Sequence, residues 1–149
     1  MKLAGFGMQI ELDDGWEARL FRRPARRVNE STNPIMHLAN FPLPDDRSDF
    51  GGGVVEHMRP GDCFVVLFDY GSEVVDQPLF ARRGVPRLFA RDFAAANLQR
   101  TISGQAGAQH FFQLGGRALG LYVVLGSRAD VRDLGALNSM LARTQVGAW

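Results

Sequence analysis

The segment from Cys63 to Tyr70 reads CFVVLFDY, and its apolar side chains fall on both alternating faces. A strand tolerates that pattern only where both sides of its sheet are covered, so the stretch predicts a central strand. A second two-sided run, Leu119 to Leu125, lies in Arg117 to Gly126, which follows Gly115-Gly116. Two glycines are free to take the positive φ that a two-residue hairpin turn demands, and Ala108 to Leu114 supplies the other arm. Central strands need one-sided neighbours. Gln9 to Leu12 and Trp16 to Arg22 alternate around the turn Asp13-Asp14-Gly15, with Trp16, Ala18 and Leu20 on one side. Ile35 to Phe41 and Leu98 to Ile102 add two more alternating runs.

Between these lie loops. Pro24 to Pro34 mixes Arg, Asn, Ser and Thr without periodicity, and Pro42 to Gly53 joins prolines and acids to a glycine run that cannot hold a ladder. Val54 to Met58 reads as a short helix, ended by Pro60-Gly61. Asp130 can cap a terminal helix in which Val131, Leu134, Leu137 and Leu141 recur at three- and four-residue intervals. The expected fold is therefore α+β: one antiparallel sheet of about six strands sandwiched by helices, with the C-terminal amphipathic helix packed on the sheet. Residues 1–7 read as a flexible lead or appended residues, Met8 being an equally good start, and residues 8–149 as one domain.

Length and charge narrow the function classes. A chain of 149 residues can hide roughly 68–70% of its unfolded surface, enough for one core. With 17 basic and 16 acidic side chains the net charge is +1, which gives no footprint for a nucleic-acid polyanion. No apolar run approaches the roughly 18–20 residues that span a bilayer, so no membrane insertion is expected. Met1 to Leu12 lacks the basic start and apolar run of a signal peptide, and a cytoplasmic location is expected. One cysteine excludes a disulfide framework and a multi-cysteine zinc site.

The candidate chemistry is thin. Cys63 beside His57, with Asp62 or Asp69 orienting the imidazole, has the residue types of a nucleophilic site, but it opens a buried strand, where a thiol packs as a small hydrophobe. His37, His57 and His110 lack metal-ligand spacing. His37 alternates with Ile35, Ala39 and Phe41, and His110 with Ala108, Phe112 and Leu114, so both read as hydrogen-bonded core histidines. Asp13-Asp14 and Asp45-Asp46 with Asp49 lack the order of a calcium loop. No metal and no cofactor is expected. Ser103 to Gly107 reads as a turn, and the sequon Asn29-Glu30-Ser31 as inert. All but one of the 17 basic residues are arginine, and nine of the 16 arginines gather in two runs: Arg19, Arg22, Arg23, Arg26 and Arg27, then Arg82, Arg83, Arg87 and Arg91. Each run is either a solvated face or a grip on an anionic group.

Asp14-Gly15-Trp16 opening an early strand, the two-sided CFVVLFDY, the late hairpin arm RALGLYVVLGS and the closing helix VRDLGALNSMLARTQV together resemble the PsbP-like superfamily over Gln9 to Val146. That superfamily includes a photosystem extrinsic subunit, a Ran-binding import factor and the DcrB-like bacterial proteins. The resemblance implies a sheet between helices and a small non-enzymatic adaptor that binds another protein. Some DcrB-like members resemble chaperones that hold hydrophobic segments of secreted effectors. It transfers no functional residue, and the two long loops depart from its pattern.

The expected function is a cytoplasmic protein-interaction module, an adaptor, chaperone or accessory subunit. Its surface would be a sheet face or edge bearing Trp16, Arg19, Phe21, Arg22 and Arg23, since tryptophan and arginine are favoured interface anchors. The alternative is a small-molecule-binding protein or small enzyme with a polar pocket formed by Arg100, Gln105, Gln109 and His110. A spare outer strand would also allow a homodimer.

Overall fold

The computed structural model describes residues 1–23, 32–127, 130–131 and 134–147. Among them, eight strands form two antiparallel sheets. The larger contains β3 (Glu17–Arg22), β4 (Pro34–Ala39), β5 (Cys63–Gly71), β6 (Ala106–Leu114) and β7 (Arg117–Leu125), in the order β3-β4-β5-β7-β6. The smaller contains β1 (Lys2–Gly5), β2 (Met8–Glu11) and β8 (Gln145–Val146), in the order β1-β2-β8. The single described α-helix, α1, spans Gly135–Leu141.

The two-sided strands are central, as their composition requires: β5 pairs with β4 and β7, and β7 with β5 and β6. Gly115 and Gly116 turn the β6–β7 hairpin with φ of 60° and 80°. One face of the large sheet carries Met36, Leu38, Val65, Leu121 and Val123, which share a core with Met8 and Ile10 of β2 and with Leu137, Met140 and Leu141 of α1. The other carries Ile35, Phe64, Val66, Tyr122 and Val124, packed with Leu43, Val54, Val55, Phe50, Leu98 and Ile102.

The expected single six-stranded sheet is thus five strands plus a separate three-stranded one. β2 buries Met8 and Ile10 and leaves Glu11 exposed; it lays its apolar face on the large sheet instead of joining its edge. Residues 1–7, read as a lead, contain β1, paired with β2 from Lys2↔Glu11 to Gly5↔Met8. Sandwiching helices are not found among the described residues either. One face is covered by the small sheet and α1, the other by irregular chain with short 3₁₀ turns at Val55–His57 and Ala95–Asn97. Leu98 to Ile102 forms no strand. The chain touches the sheet at Ala94, bridged to Gly107, and then bends so that Leu98 packs directly over Gly107, where a Cβ would come within 2.7 Å of Leu98 Cδ2.

The closing helix is shorter than its stripe. The α-helix begins only at Gly135, with Leu134 and not Asp130 at its N-cap; the Asp130 carboxylate accepts from the Gly61 amide at 2.9 Å. Arg132 and Asp133 lie outside the described residues. At the far end the Arg143 and Thr144 amides donate to Met140 and Leu141 carbonyls, tightening the last turn, and β-branched Thr144 and Val146 lead into β8. Near the hairpin, Asp69 is fully buried at a register shift in β5. It accepts from Arg117 Nε and from the Gly71 amide, both at 2.7 Å.

Candidate functional site

Strand β3 is an outer strand of the large sheet: it pairs with β4 from Glu17↔Ala39 to Arg22↔Pro34, and no described strand pairs with its other side. The five interaction residues expected from the sequence flank this edge from both faces. Arg19 and Phe21 lie on the loop-covered face, since Arg19 is paired with His37 and Phe21 with Ile35. Arg22 lies over the Phe6 ring at 5.7 Å and donates to the Thr32 carbonyl at 2.7 and 3.1 Å. Trp16 is half-buried against the core that the small sheet covers. Arg23, just past β3, donates from Nε to Asp49 Oδ1 at 2.7 Å and from a terminal nitrogen to the Arg47 carbonyl at 2.9 Å. Arg26 and Arg27 lie outside the described residues.

Beneath Phe21 sits a buried cluster for which the sequence offered only a histidine on an apolar face. His37 is wholly buried. Its Nε2–H donates to the Asp49 carbonyl at 2.7 Å, and its Nδ1 accepts from Arg47 Nε at 2.9 Å. That arrangement suits only the neutral ring, because a proton on Nδ1 would face the Arg47 N–H. Burial, aided by the Arg47 charge and opposed by the Asp49 carbonyl, lowers the His37 pKa to about 4. Phe21 meets the imidazole edge-on at 4.9 Å, and the Arg23 and Arg47 guanidiniums lie 4.8 and 5.4 Å from the Phe21 centroid. The cluster ties the loop after Ala39 to the β3 edge and holds Arg23 in place.

The opposite outer strand, β6, differs. The Ala94 and Gly107 amides and carbonyls exchange bonds of 2.9 and 3.0 Å, and around Gln113 its amide donates to the Arg82 carbonyl while its carbonyl accepts from Gly84. The Gln113 side chain adds a bond to the Phe80 carbonyl at 2.8 Å.

The alternative pocket is divided. Arg100 and Gln105 line a cavity of about 180 Å³ with Phe50, Leu98, Tyr122 and Val124. Gln105 donates to the Val55 carbonyl at 2.7 Å, while its buried Oε1 has no partner among the described residues. Tyr122 accepts the Gln99 amide at 2.8 Å, and Arg100 pairs with Glu56 at 3.2 Å. Gln109 is exposed on β6. His110 is on the other face of β6, paired with Leu121 and 3.5 Å from Asp92, so the four residues do not converge.

Burial pushes the Cys63 thiol well above its ordinary range, and His57 is exposed. Among the described residues no group of three or more His, Cys, Asp and Glu side chains is placed to hold a metal, and no helix is long and apolar enough to cross a membrane. No protein family, curated protein or solved structure matches this chain.

Proposed function

We propose that this chain is a non-enzymatic protein-interaction module, an adaptor, chaperone or accessory subunit of the cytoplasm. It takes an extended, acidic segment of a protein partner along β3 by strand addition. The observation that carries the reading is the asymmetry of the sheet: among the described residues β3 has a bonded strand on one side only, whereas β6 is pinned to neighbouring chain at Gly107 and Gln113. An edge strand offers a row of backbone donors and acceptors to a second chain. Arg19, Arg22 and Arg23 flank that row, and guanidiniums match carboxylates bidentately. A symmetric homodimer through β3 is disfavoured, since it would bring two sets of arginines together. The likeness to the PsbP-like superfamily belongs to the same proposal and points the same way.

The test is capture from source-cell extract by the immobilised chain, compared with the triple variant Arg19→Glu, Arg22→Glu and Arg23→Glu, with captured polypeptides identified by mass spectrometry. A polypeptide held at fixed stoichiometry by the parent and lost by the variant is expected. Equal capture by both would remove the edge from the account. The small-molecule reading rests on Gln105 Oε1, an acceptor without a donor among the described residues, beside the 180 Å³ cavity. A bound mass increment on the native chain, lost in Gln105→Leu, would favour it.

A further inference from the structure

The second arginine run is not used by the β3 edge. It lies on the far side of the sheet order, in the chain that pins β6. From Leu79 to Arg91 the sequence contains Arg82, Arg83, Arg87 and Arg91 and no acidic residue. All four arginines are exposed, and none has a carboxylate partner among the described residues, unlike Arg23, Arg100, Arg117 and Arg143. The same segment shows two of the four exposed large apolar side chains among the described residues, Leu79 at 55% and Phe89 at 38%.

This exposure is imposed by anchoring. Phe80 and Leu88, the neighbours of Leu79 and Phe89, are buried at 3% and 2%. Gln113 holds the Phe80 carbonyl, and the Asn138 side chain brackets Leu88, accepting its amide at 2.7 Å and donating to its carbonyl at 2.9 Å. The acids nearest in sequence are Glu73 and Asp76 before the segment and Asp92 after it; Asp92 is turned to the Phe89 amide and to His110.

We infer that residues 79–91 form a docking surface for an anionic lipid bilayer, with Leu79 and Phe89 entering the headgroup layer and the four arginines meeting lipid phosphates and carboxylates. A planar anionic surface rewards unpaired basic side chains and protruding apolar ones together. An acidic peptide fits less well, because strand addition at β6 meets the existing bridges at Arg83 and Ala94, and the segment lines neither the 180 Å³ cavity nor the groove of about 560 Å³ around Phe41, Leu43 and His57. Nucleic acid fits less well too: the Arg91 and Arg87 guanidiniums lie 4.4 and 5.6 Å from the Phe89 centroid, occupying a ring that base stacking would need.

The experiment is vesicle co-sedimentation of the full chain with phosphatidylcholine alone and with about a third phosphatidylserine added. Binding to the mixed vesicles, little binding to phosphatidylcholine, and release at about 1 M salt are expected. Arg87→Glu with Arg91→Glu should weaken binding by at least about tenfold. Leu79→Ser with Phe89→Ser should weaken it severalfold while all four arginines remain, and unchanged thermal melts would show that both pairs fold. Absence of binding to the mixed vesicles would overturn the inference, as would equal binding to neutral ones. Displacement by polyglutamate but not by further anionic vesicles, or preference for single-stranded DNA, would also overturn it in favour of an acidic protein or a nucleic acid. The β3 arginine variant should sediment like the parent, so the two surfaces fail separately.

Discussion

The two outer strands of the large sheet solve the same problem by different means. β6 is pinned by backbone at Gly107 and Gln113, so part of its outer side is already bonded. β3 is bonded to no second strand among the described residues and is guarded by arginines and by a loop clipped at His37. Charge on an edge discourages indiscriminate pairing, but unlike a covering chain it leaves the backbone available to an oppositely charged partner. The difference also separates charges that hold the fold from charges that face outward. Arg117 and Asp69 have side chains only 14% and 0% exposed, whereas the Arg23–Asp49 pair stands at 48% and 36%.

That separation can be broken experimentally. Arg117→Ala leaves the Asp69 carboxylate buried without its guanidinium, and should lose about 3–5 kcal/mol in urea unfolding; a loss below 1 kcal/mol would mean the pair does not secure the hairpin side. On the other side, His37 is held neutral with a pKa near 4 against an ordinary 6.5. Between those values the unfolded chain binds a proton that the folded chain excludes, so stability is complete above pH 6.5, falls with acid through the window, and levels off below pH 4. The loss should reach about 3 kcal/mol, and His37→Gln should flatten the slope. An unchanged slope in that variant would place the acid sensitivity elsewhere.

Smaller effects sharpen the contrast. Gly107→Ala puts a Cβ within 2.7 Å of Leu98 Cδ2; because Leu98 can shift, the expected loss is about 1–3 kcal/mol, with faster exchange of the Ala94 amide. A neutral result would show that the pin is not tightly packed. Arg23→Ala should change stability by less than about 1 kcal/mol, since its ion pair is exposed to solvent, yet it should weaken partner capture. A large stability loss would make Arg23 a structural residue instead.

The local parts of this architecture were legible in the sequence. The apolar run of β5, the Gly115-Gly116 turn and the alternation through β2 and β3 report physics that acts within a few residues. Long-range decisions were not legible. Alternation shows that β2 has one apolar face but cannot say whether it joins the large sheet or lies across it. Leu98 and Ile102 alternate like a strand because both face the core, while the backbone contact belongs to Ala94. The helical stripe through Leu141 ran on in the sequence, yet Val146 is claimed by β2. At the candidate site, the arginines of β3 were visible as a run, but their distribution over two faces and the clip of His37 by Arg47 and Asp49 depend on a loop returning across the sheet. The sequence did place His37 on an apolar face, and that signal was sound.

The most direct test of the open-edge account is amide hydrogen exchange of the free chain at single-residue resolution. The account predicts slow exchange at Gly107 and Gln113, whose amides are bonded to Ala94 and Arg82 carbonyls, and fast exchange at alternate amides of β3, whose outer side has no described strand. If every β3 amide from Glu17 to Arg22 exchanged as slowly as Gly107, the edge would already be covered, and strand addition there would be contradicted.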